Sequence, residues 1–173
     1  MLLIWGSESA ILGFMTESIR IADQLRRAFV RDPWHGPPLS ELLHGITAGE
    51  ACTRPLPGAH NIWELVLHIE IWANAALEAA RGVAMPKLYG TERDWVTVSK
   101  GTDAEWRDDV AHLQQTTQQL AQVIETFDDA RLNDIVSGRE YDFYYLFHGI
   151  VQHSLYHGGQ IAMLKSAVKR VTK

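Results

Sequence analysis

Two histidines, His153 and His157, stand four residues apart in the stretch FHGIVQHSLYHGGQIAML, residues 147–164. On a helix this spacing sets two imidazoles one turn apart on one face, about 6 Å between Cβ atoms, close enough to grip one metal ion. Leu146, Ile150, His153, His157, Ile161 and Leu164 recur at steps of three or four. The pair therefore lies on the apolar stripe and points into the core. His148, five residues before His153, rotates away from that stripe and reads as a separate, peripheral histidine. Two histidines at this spacing are by themselves a weak signal, since they are often unrelated core or surface residues. Burial strengthens the signal, because a buried imidazole needs partners for both nitrogens.

A third histidine, His68, sits in the middle of another apolar helical segment, between Leu67 and Ile69. One histidine from that helix and two from the last would make a three-His site with an open position. That is the pattern of a catalytic rather than a structural zinc or nickel centre, although imidazoles alone do not separate these from iron or manganese. Zinc or nickel is the expected divalent ion. No HExxH occurs, so the protease-type helix with its built-in base is missing. Glu64, one turn before His68, is the candidate catalytic residue: it could orient His68 or move a proton. The plainer reading is a carboxylate favoured by a helix N-terminus. Gln160, one turn after His157, is placed to bond that ring. His60 lies just before the helix of His68, within reach of its free amides or of the site mouth. Tyr89 and Tyr156 are candidate substrate contacts, and Trp63, Trp72 and Trp95 read as core or pocket wall. His35, His44 and His112 read as ordinary.

The elements that must position these residues follow from periodicity. Helices are expected over about 9–30, 61–81, 103–127 and 142–168. Asp32-Pro33 stops the first, because the residue before proline avoids helical backbone, and Gly82 stops the second. Thr102 and Glu105 form a capping box that starts the third. Leu39–His44 and Thr47–Cys52 are each long enough for a turn or two of helix, and DWVTV at 94–98 for a short extended piece. The pattern is all-α, a four-helix bundle with long crossover loops, and such loops often line functional sites. The chain reads as one domain, 1–173, with residues 1–14 peripheral and Met15 an alternative start. Gly158 and Gly159 each cost a helix about 1 kcal/mol relative to alanine. They are expected to mark a close approach by another helix or a dimer partner.

A net charge of −5 over 173 residues disfavours nucleic acid as a partner. No stretch reaches membrane-spanning length, and the apolar MLLIW start is too short for a signal peptide. The one cysteine, Cys52, fits a reducing cytoplasm and lacks a nucleophile signature.

The segment HNIWELVLHIEIW, followed far downstream by HGIVQHSLYHGGQIAML, resembles the DinB-like (DinB/YfiT) metal-dependent superfamily. The resemblance runs from about Thr16 to Val168. It implies an up-down-down-up bundle, a divalent metal on His68, His153 and His157, and frequent homodimers. Members with an assigned activity are thiol-dependent transferases, isomerases or hydrolases, so a small-molecule substrate, with a low-molecular-weight thiol as the candidate, is expected. The contrary expectation is a non-catalytic or degenerate bundle with a stress-related binding or scaffold role.

Overall fold

A computed structural model describes residues 15–171. Among them are six α-helices and no strand: α1 (Glu17–Phe29), α2 (Leu39–Leu43), α3 (Ala48–Cys52), α4 (Ile62–Ala80), α5 (Asp103–Glu125) and α6 (Phe143–Val171). The four long helices are those expected. Of the first helix expected from about residue 9, residues 9–14 lie outside the described residues, and α1 begins only at Glu17, after its cap Thr16. DWVTV forms no strand; both backbone groups of Val98 go to side chains at the start of α4, those of Asn61 and Glu64.

Each long helix starts where a side chain accepts its free amides. Thr16 caps α1, Asn61 caps α4 and Thr102 caps α5, the last two as capping boxes with Glu64 and Glu105. Asp142 Oδ1 accepts from Tyr145 N at 2.8 Å at the start of α6. Gly82, at φ +95°, ends α4 in a backbone conformation that side chains rarely adopt.

Side-chain pairs fix the direction of every contact. Trp63 donates to Asp109 at 2.7 Å and Thr116 to Glu70 at 3.1 Å, a constant offset, so α4 and α5 run parallel. Glu17 N bonds Asp129, beyond the end of α5, while Phe29 and Val30 lie beside Gln114, so α1 opposes α5. His148 sits 3.5 Å from Glu17 and Leu155 lies beside Ala28, which makes α1 and α6 parallel. Against α4, α6 runs backwards: His157 meets His68, and His153 meets Trp72. The bundle is up-down-down-up, with α1 and α4 each packed on both α5 and α6.

The core divides along the bundle. One part holds Leu25, Leu77, Leu120, Ile124, Phe143 and Phe147; the other holds Trp63, Leu65, Ile69, Trp106, Leu113 and Ile161. Full burial of each Leu or Ile is worth about 1.5–3 kcal/mol. Along the α6 stripe Leu146, Ile150, His157, Ile161 and Leu164 are buried and His153 is half-buried, and the buried face of α1 includes Ile21, Ala22, Leu25, Ala28 and Phe29. The 31–61 connection crosses the bundle end. It is pinned there by Trp106 Nε1 donating to Ile46 O at 2.7 Å and by Lys165 Nζ donating to Leu42 O at 2.6 Å.

The expected close approach at Gly158 and Gly159 is not found within the chain. A Cβ at Gly158 would meet Leu39 and Leu42 at 3.9 Å, ordinary van der Waals distance, and one at Gly159 would meet nothing within 4 Å. The glycine that packing does require is Gly101, where a Cβ would fall 2.5 Å from the Trp63 ring. Gly101→Ala should therefore cost about 1–3 kcal/mol by overpacking a rigid indole. Gly159→Ala should raise stability by up to about 1 kcal/mol through helix propensity. Denaturant melts of the two variants check this. A neutral Gly101→Ala or a destabilised Gly159→Ala would contradict it.

Candidate metal centre

The α6 stripe carries His153 and His157 inward, and the antiparallel contact sets His68 of α4 opposite them. One ring nitrogen from each lies within 4.8 Å of the others, a group that could hold a metal ion. His68 Nε2 and His153 Nε2 are 3.0 Å apart. That distance suits an N–H···N hydrogen bond. It also approaches the separation of about 3.3 Å between two nitrogens on one tetrahedral zinc at 2.0–2.1 Å.

Outer partners set the tautomers. His68 Nδ1 donates to Asp94 O at 2.8 Å, and His157 Nδ1 donates to Gln160 Oε1 at 2.7 Å. His68 and His157 therefore each present an unprotonated Nε2 to the common point, as metal ligation requires. Burial lowers the pKa of all three rings. His153 is pushed down to about 3, first by burial and then by the neighbouring His157 and His68. For His68 and His157 burial outweighs the opposing bonds to Asp94 and Gln160. Neutral imidazoles at physiological pH are ready to bind a cation without first losing protons. In chemical type, spacing and protonation, the residues fit a divalent ion.

The walls are aromatic. His68 stacks on Trp95 at 3.7 Å with 2° between the planes, and the other face of Trp95 stacks on His60 at 3.6 Å. Trp72 lies against both His68 and His153, and its Nε1 donates to Asp94 Oδ1 at 2.9 Å. The three histidines form the wall of a cavity of about 520 Å³ whose mouth carries Tyr89, Tyr145 and Tyr156. That volume lies in the range of small-molecule sites.

Glu64 stands apart from this cavity. It is 1% exposed, and both carboxylate oxygens are committed. Asn61 N donates to it at 3.2 Å and Val98 N at 3.0 Å, Arg54 pairs with it, and His60 Nδ1 lies 3.1 Å away. Asn61 Nδ2 also donates to Val98 O at 2.6 Å. Together, Asn61 and Glu64 hold both polar groups of Val98, and so fix the 94–98 segment that carries Asp94 and Trp95. Glu64 thus reaches the centre through that segment. His60 does not line the cavity; it bonds Glu64 and packs behind Trp95. His148 points away, toward Glu17 and Tyr144.

The sequence reading missed Asp94. Its carbonyl does the work, and backbone direction in a loop leaves no trace in residue type. The same reading also passed over the capping box Asn61–Glu64, whose signature, Asn followed three residues later by Glu, stands in the sequence.

Burial pushes the Glu64 carboxyl up. The bonds from Val98, Arg54, His60 and Asn61 outweigh it and hold the group below its ordinary value of 4.5. The native state then binds fewer protons than the unfolded chain, so this contribution is full above 4.5 and is lost as pH falls through the folded-state value. Glu64→Gln should lose about 2 kcal/mol near pH 7, and the deficit should shrink below pH 4.5. Urea melts across pH 3–7 test this, and a variant as stable as wild type at pH 7 would refute it.

The family model of the DinB superfamily matches residues 37–161, more than two thirds of the chain and a span that includes all three histidines. No curated protein and no solved structure matches the chain. The helical bundle and the converging histidines agree with the family match: this chain belongs to the DinB superfamily.

Proposed function

We propose that this protein is a metal-dependent enzyme in which His68, His153 and His157 hold one divalent ion, zinc or nickel, with an open position facing the cavity. The carrying observation is the convergence of three neutral imidazoles, two of which, His68 and His157, have their outer nitrogens held by Asp94 and Gln160. Such an ion acts as a Lewis acid that acidifies a water or a thiol, and so supports hydrolysis or thiol-dependent transfer. The chain's own part is positional. Asp94 and Gln160 hold the ring planes, Trp72 and Trp95 keep bulk water from the rings, and Glu64 locks the segment carrying two of these residues. A single domain over 1–173, a homodimer and a low-molecular-weight thiol substrate belong to the proposal through the family resemblance. The cytoplasm is included because Cys52 is the one cysteine. Among the described residues no helix is long and apolar enough to cross a membrane.

One observation favours a second reading, a metal-binding bundle without turnover. The cavity's carboxylate, Asp94, is 4% exposed and already bonded to Trp72. Glu64 is likewise committed, which leaves no free carboxylate base in the described cavity.

Purified protein should carry about one divalent ion per chain, and His68→Ala/His153→Ala should lose it, because binding to two fewer imidazoles is far weaker. Equal metal content in both proteins would end the proposal. Across thiol-transfer and hydrolase panels, turnover abolished by chelator and restored by metal marks the enzyme. A metal-loaded protein inert throughout marks the binding bundle.

A further inference from the structure

The metal-facing stripe of α6 does not end at His153. One helical step earlier, on the same face, stands Gly149, which lines the cavity and around which a Cβ would meet nothing within 4 Å. The face that presents imidazoles at 157 and 153 thus presents empty space at 149. Beyond it the wall is made by Ile150, Leu146 and the rings of Trp72 and Trp95, and the mouth by Tyr89 at 80% exposure and Tyr145 and Tyr156 at 66%. Among the described residues, the lining includes no lysine or arginine. Its carboxylate is the buried Asp94, whose Oδ1 is held by Trp72.

We infer that the cavity takes an uncharged ligand with an aromatic or similarly flat apolar body, seated over Gly149, whose polar head reaches the three histidines. Gly149 determines specificity by leaving the volume that the body occupies. The inference rests on the proposed metal centre for the head group alone; the choice of body follows from the walls. The ion meets the head group, whereas an anionic body seated away from it over Gly149 would have no lysine or arginine to replace its water, a desolvation that an apolar wall does not offset. A flat ring instead meets tyrosine and tryptophan edges and faces, which aromatic partners favour. The proposal therefore selects against carboxylated thiols and for aryl or alkyl ones.

The test uses the full chain, chelator-stripped and zinc-loaded. In the stripped protein the neutral fluorophore N-phenyl-1-naphthylamine should bind, and Gly149→Leu should weaken it at least about tenfold by filling the space. In the zinc-loaded protein 4-methylbenzenethiol should bind at least about tenfold more tightly than 4-mercaptobenzoate, which differs by a distal charge. Tyr145→Lys, at an exposed rim position that does not endanger folding, should narrow that preference by at least about fivefold by supplying a cation. Fluorophore binding unchanged by a folded Gly149→Leu, or equal or tighter binding of the carboxylated thiol, overturns the inference. Should Gly149→Leu fail to fold, an unchanged preference in Tyr145→Lys overturns it instead. A chain that binds the fluorophore over Gly149 but retains no zinc upholds the cavity reading and refutes the metal centre. A chain that retains zinc and binds both thiols equally does the reverse.

Discussion

Three imidazoles buried against one another can remain neutral and fixed only if each ring's N–H finds a partner away from the shared point, or if a cation occupies that point. The rest of the structure is organised around this constraint. The antiparallel contact of α4 and α6 sets the depth at which His68 meets His153 and His157. An Asp94 carbonyl and a Gln160 amide then take the outer protons of two rings. Slipping α6 along α4 by one helical turn would move it about 5.4 Å and leave His68 facing the wrong residues. The apolar stripe above and below the histidines, from Leu146 to Leu164, holds that register.

The second requirement is a rigid wall on the side where no helix stands. It is met by an irregular segment, 94–98, whose order is borrowed from α4. Glu64 begins the helix as its capping partner and, with the same carboxylate, holds Val98 N. The helix start and the loop position are therefore one bonding network, buried and mutually dependent. Trp95, fixed at its base, lies sandwiched between His60 and His68. The acid one turn from His68 thus takes part in the architecture of the centre without touching its cavity.

Much of this was legible in the sequence, for identifiable reasons. The long helices followed from apolar spacing, and the inward pair on α6 from the steps around His153 and His157, because helical geometry converts spacing into direction. The short helices α2 and α3 formed where a turn or two was expected. The partnership of His68 with that pair depended on which helices are neighbours, which periodicity does not carry; the habit of bundles to build sites from facing helices suggested it, and the family resemblance implied it. Within the chain no close approach meets Gly158 or Gly159, since the cost of a helical glycine does not say what approaches it. The approach occurs at Gly101, outside a helix, against Trp63. Gly149 went unnoticed because an absent side chain gains meaning only when the space beside it is seen.

The central claim is that three imidazoles from two helices share one ion and leave a position open to the cavity. X-ray absorption on the metal-loaded protein reads this directly. Three imidazole nitrogens at about 2.0–2.1 Å with one further light donor, replaced by sulfur when a neutral thiol is added, is the predicted result for zinc. A shell of oxygen donors, or a closed four-histidine shell unmoved by thiol, would contradict it.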